Sequence, residues 1–109
     1  MRAKHMADGE WELGGQAVFV KNGEARLAGG TLAGSVLKMN NAVKNFMEFT
    51  GASLLEAVNC ASLNIAKNLG IDNELGSIRE GKRASFVVVD KDMNVVYTIR
   101  DGYVIYEKE

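Results

Sequence analysis

A catalytic or metal centre needs several polar side chains of the right type converging on one point, and this sequence offers few. His5 and Cys60 are the only soft nitrogen and sulfur ligands, and they are far apart in sequence. No HxH, CxxC or HExxH spacing occurs, so a self-contained zinc site is not expected. A nucleophile and base pair fares no better. Cys60 lies in a helical pattern beside Val58 and Ala61, where a small thiol packs in the interior. His5 falls in an expected terminal loop facing solvent. The carboxylates are scattered. Asp8, Glu10 and Glu12 have strand-like spacing, but without a second chemical partner they read as solvated charge. Asp90 and Asp92 flank Lys91 as turn residues do.

Two glycine-rich stretches remain. Gly29-Gly30-Thr31-Leu32-Ala33-Gly34-Ser35 runs from a strand toward a helix. It has the composition to bring backbone N–H groups close to an anion or a sugar. No GK[ST] follows, so it is not a phosphate-binding P-loop, and a Ser35 N-cap behind a flexible turn explains the composition equally well. The second stretch, Leu75-Gly76-Ser77-Ile78-Arg79-Glu80-Gly81-Lys82, reads as turns leading into a strand.

The elements that position these residues follow from periodicity. Residues 1–9 show neither a helical nor a strand period and read as a loop. Trp11 to Gly30 reads as a β-hairpin turning at Asn22-Gly23. Leu37 to Thr50 is helical, with Met39, Val43, Phe46 and Met47 on one stripe and Gly51 as its cap. Ser53 to Glu56 forms a capping box that opens a second helix, closing at Gly70. This helix continues through Ser62-Leu63 or breaks there. Ala84 to Asp90 is a strand whose Val87-Val88-Val89 run calls for cover on both faces. Val95 to Arg100 alternates, and Asp101-Gly102 turns it back into Tyr103 to Tyr106. The order of hairpin, two helices and β-meander is α+β.

Composition bounds the rest. A chain of 109 residues with 47% hydrophobic and 25% charged residues is ordinary for a globular unit. A domain of this size buries only about two-thirds of its unfolded surface. A formal net charge of −1 with no run of one sign argues against nucleic-acid or membrane-surface binding. No apolar stretch approaches the ~20 residues that span a bilayer. No basic-then-apolar leader opens the chain, which points away from secretion. The single cysteine suits a reducing cytoplasm. There is no proline among the 109 residues, where usage of ~5% would place several, so Gly and Asn/Asp must make the turns.

Taken together, several segments resemble one family, the N-acetylglucosamine-6-phosphate deacetylases. Gly29 to Ser35 resembles their GTLAGS loop, and Ala61 to Gly70 their AS-x-NPA-x-x-LG helix. Leu75 to Asp90 is similar to the GSI-x-x-GK-x-AD-x-VV-x-D segment, which recurs across metal-dependent amidohydrolases. Asp8-Gly9 followed by Leu13-Gly14-Gly15 narrows the likeness to the deacetylase branch. The resemblance covers essentially the whole chain. It implies a fragment of a longer enzyme: residues 1–74 as the C-terminal end of a TIM-like barrel with a hairpin excursion, and 75–109 as strands of a small β-sandwich. It further implies that Leu32, Ala33 and Gly34 contact the amino-sugar phosphate, with small residues letting the backbone approach.

By the same resemblance no catalytic residue lies in these residues. The catalytic aspartate sits about two positions before Met1, and Met1 itself is internal, on aligning Met1-Arg2-Ala3-Lys4 with a TD-x-MRAK run. The divalent metal ligands lie further upstream, and no metal is held by the fragment. The complete enzyme would hydrolyse N-acetylglucosamine 6-phosphate to glucosamine 6-phosphate and acetate, with a metal-activated water as nucleophile. The fragment alone is expected to be inactive. An N-acetylgalactosamine-6-phosphate deacetylase is an alternative, as is a non-catalytic folding or association module. A homo-oligomer is expected, since apolar surface meant for the barrel would need cover. Two departures carry expectations. Ile65 replaces the usual Pro, which favours one continuous helix across Ser62. Ser85 replaces the common Asp, which removes only a turn or surface interaction.

Overall fold

The computed structural model describes residues 2–109; the expectation attached to Met1 lies outside them. The chain divides into two compact units, Met1–Lys38 and Met39–Glu109. The class is α+β as expected, with differences in detail.

The first unit is a four-stranded antiparallel meander, β1 (Gly9–Leu13), β2 (Gln16–Lys21), β3 (Glu24–Leu27) and β4 (Leu32–Gly34), in that spatial order. The sequence suggested a single hairpin. The turn at Asn22-Gly23 is where it was expected, with φ of 51 and 77, the doubly positive geometry of a tight hairpin. A second turn at Gly14-Gly15 adds β1, and a third at Gly29-Gly30 adds β4. Residues 1–9 are also not all loop, because Arg2–His5 form a 3₁₀ turn and Gly9 already pairs with Val20. Alternation along β2 places Val18 and Val20 inward, where they meet Ala25 of β3 in a small core. Trp11, Leu27, Ala33 and Val36 pack around it.

In the second unit α1 (Met39–Thr50) buries Val43. It ends at Gly51, whose N–H donates to the Met47 carbonyl at 2.9 Å. Ser53 then opens α2 (Leu54–Ala61) with the expected capping box. The Glu56 N–H donates to Ser53 Oγ at 3.3 Å, and the Ser53 N–H to Glu56 Oε2 at 2.8 Å.

The helix does not run on. It breaks at Ser62 (φ −141, ψ −78), and α3 (Leu63–Asn68) starts afresh, so the continuous helix expected from Ile65 is not found. A proline is not needed for the break. The Ser62 hydroxyl donates back to the Val58 carbonyl at 2.7 Å, a bond that competes with the regular ladder. The backbone of Gly76 also seats directly against the first turn of α3. A Cβ at Gly76 would lie 2.6 Å from Ala66 Cβ and 3.1 Å from Leu63 Cα.

The remaining strands, β5 (Phe86–Val89), β6 (Val95–Arg100) and β7 (Tyr103–Glu107), form a three-stranded antiparallel sheet. The expectation that Val87 to Val89 are covered on both faces does not hold, because Val87 is 55% and Val88 42% exposed. The chain supplies no layer over this sheet among its described residues. Asn40 of α1 holds it at one end, donating from Nδ2 to the Met93 carbonyl at 2.9 Å.

The Gly76 contact predicts a large asymmetry between two glycines of similar backbone. Gly76 and Gly81 have φ of 84 and 82, but a Cβ at Gly81 meets nothing within 4 Å. Gly81→Ala is expected to cost about 1–2 kcal/mol from backbone strain alone. Gly76→Ala adds a steric clash and is expected to cost about 2–4 kcal/mol. Urea titrations of both variants, followed by circular dichroism, test the difference; equal losses would contradict the packing role.

Candidate functional site

The stretch singled out by composition is a bulged edge strand. Leu27 and Thr31 close the β3–β4 turn through an N–H···O bond of 2.8 Å, and the Gly30 N–H donates to the Leu27 carbonyl at 2.8 Å. Across the strands Arg26 pairs with Leu32, but the next pair is Ala25 with Gly34. Ala33 is therefore the extra residue of a β-bulge. Its methyl packs on the Val18–Val20–Ala25 core, while Leu32 stands 60% exposed.

The far end of the strand is fixed by Ser35, whose Oγ accepts from the Leu37 N–H at 3.1 Å. This is a serine turn. The Ser35 helix cap expected from sequence is not formed, since α1 starts at Met39. The loop expected at Leu32-Ala33-Gly34 is thus a short strand, and among the described residues its outer edge pairs with no other strand. Such an edge offers a ligand backbone N–H and C=O groups and one leucine side chain. It offers no group that transfers a proton.

Arg26 is the residue sequence reasoning passed over. Its Nη1 donates to the Gly30 carbonyl at 2.7 Å and its Nε to Glu24 Oε2 at 2.8 Å. Its place opposite Leu32 is a matter of strand register, which no local pattern in the sequence carries.

His5 is exposed, as expected, within the 3₁₀ turn. Cys60 is exposed, against the expectation of a packed thiol. Of α2 only Ala57 is buried. Cys60 lines an open groove of ≈ 580 Å³ with Phe46, Thr50, Glu56 and Asn64. Asn64 Nδ2 lies 3.8 Å from its sulfur. The one carboxylate there, Glu56, is held below its ordinary range by its bonds from Ser53 and belongs to the helix cap. Asp90 accepts from Asn94 Nδ2 and from the backbone of Asp92 and Asn94, as a turn residue.

Lys82 donates to the Asp72 carbonyl, to the Leu75 carbonyl at 3.4 Å and to Ser77 Oγ at 2.7 Å. This ammonium ties down the 72–77 loop. Arg83 grips Asp101 with two bonds of 2.8 and 3.0 Å. Ser85 accepts from the Asp101 N–H at 3.0 Å, so the residue replacing the common Asp makes a turn contact of its own. Among the described residues no three His, Cys, Asp or Glu side chains could together hold a metal ion. The donor set does not fit the divalent ion that the resemblance implies. No described helix is long and apolar enough to cross a membrane.

With this geometry in hand, the amidohydrolase family matches residues 16–105, and the chain belongs to that family. Within it the chain is similar to the N-acetylglucosamine-6-phosphate deacetylase of Bacillus subtilis, 45% identical over 106 residues, which are 97% of this chain and 27% of the relative. It is equally 45% identical to the N-acetylgalactosamine-6-phosphate deacetylase of Escherichia coli O157:H7, over 95 residues covering 87% of this chain and 25% of the relative. The crystal structure of the N-acetylglucosamine-6-phosphate deacetylase from Thermotoga maritima superposes with a TM-score of 0.83. It is 46% identical, covering 97% of this chain and 29% of that one. The chain spans about a quarter of the length of the curated relatives just described.

The acid response of the second unit follows from its carboxylates. The Arg83 hydrogen bond holds Asp101 below its usual range, and the Asn94 side chain does the same for Asp90. A depressed folded-state value gives stability that is complete above the unfolded value, about 4, and is lost as pH falls through the lowered one. Denaturant midpoints measured from about pH 7 to about pH 3 should therefore drop most in the acid part of that range. Asp101→Asn should be less stable at neutral pH and show a shallower acid loss; an unchanged acid slope would remove Asp101 from the account.

Proposed function

We propose that this chain is the C-terminal part of an enzyme that hydrolyses N-acetylglucosamine 6-phosphate to glucosamine 6-phosphate and acetate, and that Leu32, Ala33 and Gly34 contact the substrate. The single observation carrying the site assignment is the bulged edge strand. It presents backbone and one apolar side chain, is anchored on a core through Ala33, and bears no titratable group. Such a strand orients a ligand. Bond breaking belongs to residues outside these 109, as does the binding of any divalent metal ion. In this reading residues 1–74 close a barrel and 75–109 join a composite β-sandwich, a boundary of the complete enzyme distinct from the compact division at Lys38. The uncovered apolar side chains, such as Ile78 at 81% exposure and both faces of β7, support a place inside a larger molecule. A cytoplasmic homo-oligomer is the form we infer for that molecule.

A second reading has a specific observation behind it. The identity to the N-acetylgalactosamine-6-phosphate deacetylase equals that to the glucosamine enzyme, so overall similarity favours neither epimer. Comparing kcat/KM for the two epimers in the complete enzyme decides between them.

Acetate release assays should find no turnover of N-acetylglucosamine 6-phosphate by the 109-residue chain alone with Zn²⁺, Fe²⁺ or Mg²⁺ added; measurable turnover refutes the assignment of the chemistry to other residues. In the complete enzyme Gly34→Val, which puts a branched side chain where the backbone meets the sugar, is expected to lower kcat/KM about 10- to 100-fold.

A further inference from the structure

A bulge gives an edge strand its direction but weakens the ladder that holds it there. Two backbone bonds of 2.8 Å, Leu27 N–H to the Thr31 carbonyl and Gly30 N–H to the Leu27 carbonyl, close the β3–β4 turn, but its glycines give it no packing of their own. Gly29 and Gly30 carry no side chain, and a Cβ at either would meet nothing within 4 Å. The polar contact of 2.7 Å from Arg26 Nη1 to the Gly30 carbonyl comes from the residue directly opposite Leu32. Glu24 fixes the guanidinium plane in turn, through Nε at 2.8 Å. We propose that Arg26 is a positioning residue, clamping the turn so that Leu32, Ala33 and Gly34 meet the sugar phosphate in one orientation.

This inference rests on the reading of Leu32–Gly34 as the substrate-contacting strand. The guanidinium itself is assigned no contact with substrate, because two of its nitrogens are already engaged. The side chains of Arg26 and Glu24 are 47% and 58% exposed, so their ion pair contributes little to stability. That separates the two roles experimentally. A residue that only decorated the surface would leave both stability and kinetics unmoved, and a purely structural one would move stability alone.

The test uses the complete enzyme carrying these residues, with N-acetylglucosamine 6-phosphate as substrate. Arg26→Leu is expected to raise KM about 3- to 10-fold while kcat changes less than about twofold, the pattern of lost ground-state positioning. Arg26→Lys retains a donor that can reach the Gly30 carbonyl and should recover most of the loss. Glu24→Ala frees the guanidinium and should raise KM in the same direction by less; it decides the matter should Arg26→Leu fail to fold. Unchanged KM in the Arg26 and Glu24 variants, beside a damaged Gly34→Val enzyme, overturns the clamp and leaves the strand assignment standing. An undamaged Gly34→Val enzyme overturns both.

Discussion

Burial is scarce in this chain, and most of its architecture is a response to that. Among the described residues six hydrophobic ones are buried, Val18, Val20 and Ala25 in one unit and Val43, Ala57 and Ala66 in the other. At ~25 cal/mol per Å² of apolar surface, side chains this small supply little of the gain that offsets ordering a backbone. Large apolar residues such as Phe49, Leu55, Ile78 and Tyr103 remain outside. The elements are therefore defined locally, by turns, caps and end contacts, and their interior surfaces are only partly used.

The end contacts of the second unit share one design. Each joins a side chain to the backbone of a neighbouring turn: Asn40 to Met93, Lys82 to Asp72 and Leu75, Ser85 to Asp101. Backbone carbonyls and N–H groups at element ends are the groups that helices and ladders leave unsatisfied. Meeting them with local side chains fixes where β5 to β7 begin and end without a deep core. Asp101 shows how much one such residue does. It takes a positive φ of 51 in the β6–β7 turn, pairs with Arg83 and donates its N–H to Ser85.

What could be read from the sequence were the features whose causes are local. Asn22-Gly23, Asp101-Gly102 and the Ser53–Glu56 box each need only a few neighbouring residues, and all three formed as expected. The first helix formed too, but it starts at Met39 and of its expected stripe only Val43 is buried, with Met39 and Phe46 exposed. The misses needed distant partners. The break at Ser62 lies where Gly76 comes against α3 across the intervening loop. Cys60 lies at an open groove beside Phe46 and Thr50 of α1, so its exposure is set by how the two helices meet. A Val-rich run specifies that a strand wants cover and says nothing of which chain provides it. At the candidate site, composition drew attention to Leu32–Gly34, but three residues between two glycine-rich breaks carry too short a period to be recognised as a strand. Their register against β3, with the bulge at Ala33, is a tertiary fact.

That register also explains why the stretch is made of small residues. Ala33 must reach a core whose centre, Ala25, is fully buried, and a larger side chain at either position would push β4 away from β3. Gly34 sits opposite Ala25 and is itself half-buried, so the side of the strand that faces the core is made of small residues. In the proposed role this stretch, backed by the core through Ala33 and bearing no titratable group, acts on a reaction only through where it holds the substrate.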